Sequence, residues 1–219
     1  IYDITENFFY DNEPKFKREL IAWTRFGAGA AWHGKDKADH EILERNEFNI
    51  NSLIKNLKDK AYGQLGTSGG GNHFVEFGII EFEKDSKLLN IKAGRYLSLL
   101  THSGSRGLGA TIAGHYTKIA KEICKLPSEA KNLAYLDLNS AEGQEYWIAM
   151  NLAGDYASAC HEIIHKRITN AIGAHVMAKV ENHHNFAWKE KWNNEELIVH
   201  RKGATPAAEG VLGFIPGSM

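Results

Sequence analysis

Gly66-Thr67-Ser68-Gly69-Gly70-Gly71-Asn72-His73-Phe74-Val75-Glu76 is the stretch from which the rest of this chain can be read. Four glycines crowd against a histidine that has an amide before it and a carboxylate three residues after it. Glycine at this density is entropically unfavourable to order, so it marks a place where another group must approach the main chain closely. From His73 to Ile80 the residues alternate and are rich in β-formers, so a strand should leave the loop. The loop exit therefore sets an imidazole and a carboxylate beside bare backbone.

Two further islands of the same kind follow, Thr101-His102-Ser103-Gly104-Ser105-Arg106-Gly107 and Asn182-His183-His184-Asn185. Neutral imidazole is the commonest side-chain ligand for transition metals, and histidines at loop or strand ends can form most of a site. The neighbouring Asn, Gly and Ser suit phosphate and sugar, so the three islands read as one site assembled from distant loops. In the second island, Ser103 to Gly107 precedes a helical pattern. Free amides at a helix start can seat an anion, and Arg106 could grip a phosphate in bidentate fashion. An ordinary serine-capped helix with a surface arginine explains that segment equally well. No Gly-Lys-Ser/Thr follows any glycine run, which excludes a standard P-loop. Downstream, His200-Arg201-Lys202-Gly203-Ala204-Thr205 and Gly213-Phe214-Ile215-Pro216-Gly217-Ser218 join cations to glycine turns, as a polyanion path would.

A competing motif is His161-Glu162-Ile163-Ile164-His165, the HExxH pattern in which one turn of helix aligns two zinc ligands and a general base. At roughly 100° per residue, Tyr156, Cys160, Ile163 and Ile164 form a buried stripe with both histidines on its flank. The third histidine of metzincins is missing, so a polar helix flank is the preferred reading and a zinc hydrolase the alternative.

Helical spacing covers 14–25 and 50–61, with Ile54, Leu57 and Ala61 on one face of the second, and a Gly/Ala-rich loop runs between them. Residues 96–102 read as a second strand ending at a histidine, and 107–126 as a helix. A long helix fills much of 140–172, opened by Asn139-Ser140 with Glu142 close behind. Strands are expected at 176–181 and 197–201. Alternation of this kind without a repeat favours a mixed α/β fold, with layered sheets flanked by helices, in one domain over 1–219. Lysine and arginine number 26 against 27 acidic residues, so no global basic field argues for nucleic acid and any polyanion site must be local. Two cysteines, Cys124 and Cys160, are too few for a disulfide framework and fit a reducing compartment, so a cytoplasmic location is expected. No apolar run reaches membrane-spanning length and no signal peptide is visible. Both ends, Ile1 and Met219, look cut from something longer.

The motifs GTSGGGNHFVE, HSGSRGLG, NHHN, HRKGAT and IPGSM, in this order, resemble the central motifs of the RtcB family of RNA-splicing ligases. The resemblance runs from about Phe26 to the last residue and makes the chain the central part of a longer catalytic domain. It implies an enzyme joining RNA 2′,3′-cyclic phosphate or 3′-phosphate ends to 5′-hydroxyl ends, using GTP and two Mn2+ ions. A histidine would be guanylylated, the guanylyl group would pass to the RNA 3′-phosphate, and the 5′-hydroxyl would then displace GMP. The resemblance further implies that His73, His102 and His184 bind manganese, and that Asn72, Phe74, Glu76, Asn185 and Ser218 contact the guanosine nucleotide. Arg106 would engage RNA phosphate. An archease-type activating partner is compatible with it, and no membrane is involved.

Two family motifs have no counterpart here. One is the Asp-x-Gly-Cys-Gly segment that supplies metal ligands, and the other is the histidine segment that carries the guanylyl group. No catalytic nucleophile is therefore assigned within this chain, which by itself is expected not to ligate RNA. A non-catalytic nucleotide- or RNA-binding module is the remaining alternative.

Overall fold

The computed structural model describes residues 1–215; Ser218, with the rest of 216–219, lies outside the described residues. Two short helices open the chain, α1 (Glu6–Asp11) and α2 (Glu13–Trp23). The hydroxyl of Thr5 accepts from the Phe8 amide at the start of α1, and a proline sits in the first turn of α2, where its missing N–H has no intrahelical partner to lose. The loop after α2 tightens into short 3-10 turns at Gly34–Asp36, Glu41–Glu44 and Asn46–Asn49.

Residues 50–61 were expected to form one helix and form two, α3 (Ser52–Asn56) and α4 (Lys58–Gln64). The Leu57 amide bonds back only three residues, to the Ile54 carbonyl at 3.0 Å, and this tighter turn breaks the axis. The expected face survives, with Ile54 and Ala61 buried.

Strands β1 (Phe74–Phe82) and β2 (Gly94–His102) pair antiparallel with Phe74 opposite His102 and Glu76 opposite Leu100. Val75, Phe77 and Ile79 on one face join a core with Leu97 and Leu99, so Phe74, Glu76 and His102 stand on the other. A second antiparallel hairpin joins β3 (Asn185–Trp192) to β4 (Glu195–Lys202). Its turn uses Asn193 and Asn194, both at positive φ, as a two-residue hairpin turn requires. The mixed α/β class holds, and among the described residues its sheets are these two-stranded hairpins.

Helices α5 (Arg106–Ile123) and α6 (Ala141–Ile172) supply most of the packing surface. The hydroxyl of Ser140 accepts from the Gly143 amide at 3.0 Å to start α6, and Gly173, in the left-handed conformation, ends it. Along its 32 residues α6 serves two cores. Leu152, Tyr156, Cys160 and Ile163 pack with Leu108, Ile112 and Tyr116 of α5 and with Ile54 and Leu65. From the next residue to the helix end, Ile164, Ile168 and Ile172 pack with Phe9, Phe16, Val75 and Leu97. Each fully buried side chain of this type stabilises by roughly 1.5–3 kcal/mol relative to exposure. Cys160 is completely buried and Cys124 half-buried, and both are free thiols.

The strand expected at 176–181 does not form. Val176 makes one bridge to Tyr2, and Met177 and Ala178 bond only to Ile1. The short N-terminal segment is shared with β2, since the Tyr2 amide donates to the Leu97 carbonyl and the Leu97 amide to that of Ile4. It is too brief to give 176–181 a ladder. The strand that does form starts nine residues later, at Asn185, where the β4 edge is available for pairing.

Candidate functional site

The glycine loop is held from three sides. The Trp32 indole donates to the Gly66 carbonyl at 3.0 Å, the Ser68 amide donates to the Arg25 carbonyl at 2.9 Å, and the Gly27 amide donates to that of Gly69 at 2.7 Å. Ser103 Oγ donates to the Ser68 carbonyl at 2.7 Å, which ties the second island to the first. Gly69 has φ +108°, and a Cβ there would collide with the Arg106 guanidinium and the His73 ring. On its other side His73 lies against Gly104, so the imidazole sits between two bare stretches of main chain.

Arg106 has turned inward. It is 9 % exposed, its Nε donates to Thr67 Oγ1 at 2.9 Å, and its Nη2 donates to the Gly27 carbonyl at 2.8 Å. It thereby locks the loop to segment 25–28, and it opens α5 with φ +55°. Burial pulls its pKa below the usual arginine range.

The three sequence-predicted imidazoles come together. His73 precedes β1, His102 ends β2, and the antiparallel register brings both to one end of the hairpin. Their ring centroids are 5.8 Å apart, and His184, just before β3, lies 4.9 Å from His102. His183 instead stacks on Phe186 and meets Ser158 Oγ at 3.3 Å. Burial lowers the pKa of His73, and the Arg106 charge beside it lowers it further. His102 is lowered by burial and then by His184 and His73. Both rings are thus biased toward the neutral, ligating form. The buried Nδ1 of His73 and Oγ of Ser68 meet no hydrogen-bond partner; the Ser68 backbone stands close enough to favour a proton on His73 without closing a bond.

All three rings line a cavity of about 300 Å³. Ser103, Gly104 and Ser105, at the N-terminus of α5, line the same space beside the imidazoles. Asn182, Asn185 and Phe186 close another side. Of the described nucleotide candidates only Asn185 lines this cavity, and its Oδ1 accepts from the Gly203 amide at 2.9 Å. Asn72 is exposed on the loop, Phe74 packs edge-on against His102 at 5.3 Å, and Glu76 lies half-buried on β1.

The HExxH segment does not act as a unit. Glu162 is 58 % exposed at its side chain and faces His40, while His165 turns to Thr101 Oγ1 at 3.1 Å. His161 alone lines the cavity, with its Nδ1 3.8 Å from Glu181. A general base facing solvent away from both histidines is unsuited to metalloprotease chemistry, so the geometry does not support the zinc hydrolase alternative. Sequence reading set His161 on a polar flank and overlooked Glu181; the available signal was an acidic residue directly before the Asn182 to Asn185 island.

Neutral rings and a buried unpartnered nitrogen fit a transition-metal cation better than Mg2+ or Ca2+, which take oxygen ligands. Among the described residues, no three His, Cys, Asp or Glu side chains already stand in metal-holding geometry. The cluster therefore needs closure around an ion, or donors beyond it.

A cavity lined by both a helix N-terminus and imidazoles belongs to the class of sites that suit a phosphate beside a cation. The chain belongs to the tRNA-splicing ligase RtcB family, whose model matches residues 14–219. It is 32 % identical over 183 residues to a tRNA-splicing ligase RtcB of Nanoarchaeum equitans, covering 74 % of this chain and 37 % of that protein. To the RNA-splicing ligase RtcB of Escherichia coli it is 30 % identical over 179 residues, covering 74 % and 40 %. A Methanococcus maripaludis tRNA-splicing ligase RtcB is 32 % identical over 210 residues, covering 86 % and 41 %. The chain spans about two fifths of the length of these relatives. No helix among the described residues is long and apolar enough to cross a membrane.

Proposed function

We propose that this chain is the metal- and phosphate-holding part of an RNA ligase that joins 3′-phosphate or 2′,3′-cyclic phosphate ends to 5′-hydroxyl ends with GTP and Mn2+. The observation that carries this reading is the meeting of His73, His102 and His184 on one cavity with the N-terminus of α5. Family membership supports the reaction class, and the relatives' names place RNA splicing with them.

His73, His102 and His184 would hold the cation, which when bound supplies Lewis acidity and charge neutralisation to phosphate. Ser103 to Ser105 offer main-chain amides to phosphate oxygens. Arg106 works through the loop, keeping Gly69 and His73 in place while its Nε and Nη2 donate to Thr67 and Gly27. Asn185, at the cavity rim beside Phe186, offers an amide to a nucleotide, and Phe74 and Glu76 stand on the adjoining strand face. The guanylyl-carrying histidine belongs to a segment with no counterpart among these motifs.

The test is Mn2+ binding by the chain, read from the loss of free-ion EPR signal. His102→Ala should weaken binding at least tenfold, because His102 stands between the other two rings. Unchanged binding in that variant would overturn the assignment. A covalent GMP adduct formed on this chain with GTP and Mn2+ would contradict the absence of a nucleophile.

A further inference from the structure

His161 projects from the middle of α6 into the wall of the same cavity, beyond the three histidines that the family motifs single out. Its Nδ1 faces Glu181 Oε1 at 3.8 Å, an ion-pair contact slightly longer than a hydrogen bond. Its Nε2, on the opposite edge of the ring, is buried and has no hydrogen-bond partner. A buried imidazole nitrogen left unpaired is costly and rare, and an absent ion or water is a standard reason for one.

The far side of the carboxylate is held as well. Lys179 Nζ lies 2.9 Å from Glu181 Oε2. The contacts of Glu181 with His161, then Lys179 and Ser158, keep its carboxyl well below the usual range, so it remains an anion beside the ring. A carboxylate behind one nitrogen of a histidine places the proton there and leaves the other nitrogen with its lone pair, the arrangement that backs metal-bound histidines.

We infer that His161 is a fourth nitrogen donor to the cation of this site, oriented by Glu181. The inference rests on the proposed cation-binding reading of the cavity and adds a residue and its carboxylate support to it. His161 lines the same cavity as His73, His102 and His184, and the four rings would have to close around an ion to ligate it together. The ion is the Mn2+ of the proposed reading, and Co2+, which nitrogen ligands hold more tightly than Mn2+, serves as its spectroscopic probe.

Mn2+ affinity and the visible d–d spectrum of the Co2+-loaded chain test this on wild type, His161→Ala, Glu181→Gln and the exposed-surface control His200→Ala, with far-UV circular dichroism to confirm folding. Glu181→Gln should bind Mn2+ roughly 10–100-fold more weakly, His161→Ala should lose at least as much, and His200→Ala should match wild type. The Co2+ band of His161→Ala should shift as one nitrogen is lost. Unchanged affinity in a folded His161→Ala chain overturns the inference and leaves the three-histidine reading standing. Weaker binding with an unaltered Co2+ band assigns His161 a structural role only and also overturns it. If His161→Ala does not fold, Glu181→Gln decides, with wild-type affinity and band counting against the dyad. A wild-type chain that binds neither ion removes the cation reading itself, and this inference with it.

Discussion

At the scale of single residues, the site depends on one backbone angle. Gly69, at φ +108°, lets Arg106 and His73 approach a main chain with no side chain in the way. Gly69→Ala should destabilise the fold by roughly 1–3 kcal/mol, from strain and collision together, and should weaken Mn2+ binding in parallel. Equilibrium urea denaturation and ion titration on the same sample measure both. The residue types of this site were legible in the sequence, since His73, His102 and His184 all reach the cavity. The inward turn of Arg106 was not. A guanidinium next to a helix start reads as an anion grip, and only the proximity of Thr67 and Gly27 shows that its Nε and Nη2 donate within the loop. His161 was legible as a histidine but not as a cavity residue, because helical periodicity separates the buried stripe from its flank without showing what covers the flank.

A second residue carries a pH signature. Burial, aided by the charge of His161, lowers the pKa of His165 from the ordinary 6.5 to about 4. Below pH 6.5 the unfolded chain takes up a proton that the folded chain refuses. Stability should therefore be full above that pH, fall as pH drops toward 4, and level off below it. The total loss assigned to this group is on the order of 3 kcal/mol. His165→Gln should flatten the dependence of the urea midpoint between pH 7 and 4, leaving the smaller contributions of His73, His102 and His183, which shift the same way.

At the scale of elements, α6 organises the rest. Its first turn is set by Ser140, whose hydroxyl bonds the Gly143 amide, and Ser140→Ala should cost about 1 kcal/mol by chemical denaturation with the cavity unaffected. This helix was readable from its cap and periodicity, as were the strands at 74–82 and 94–102. The error at 176–181 has a definite origin. A β-prone composition makes a strand only where a partner edge is free, and the N-terminal segment offers residues 176–178 a single bridge. The edge that mattered belonged to 195–202, and pairing across a hairpin turn of Asn193 and Asn194 moved the strand downstream. The split of 50–61 into two helices escaped periodicity because the tight turn at Leu57 keeps Ile54 and Ala61 on the same buried face.

At the scale of the whole molecule, the three sequence islands converge because each lies at the end of a strand or the start of a helix anchored in the two cores that share α6. The anchoring extends outward through the loop. Trp32, 3 % exposed, donates to the Gly66 carbonyl, and the guanidinium groups of Arg25 and Arg167 stack on its ring at 4.5 and 4.2 Å. An indole so placed is an internal optical gauge of the loop it touches. Any ion or nucleotide that shifts the backbone between Gly66 and Gly69 should alter the emission of Trp32, in an amount that Trp32→Phe abolishes. Occupancy of the cavity could thus be followed by fluorescence alone, with no label attached.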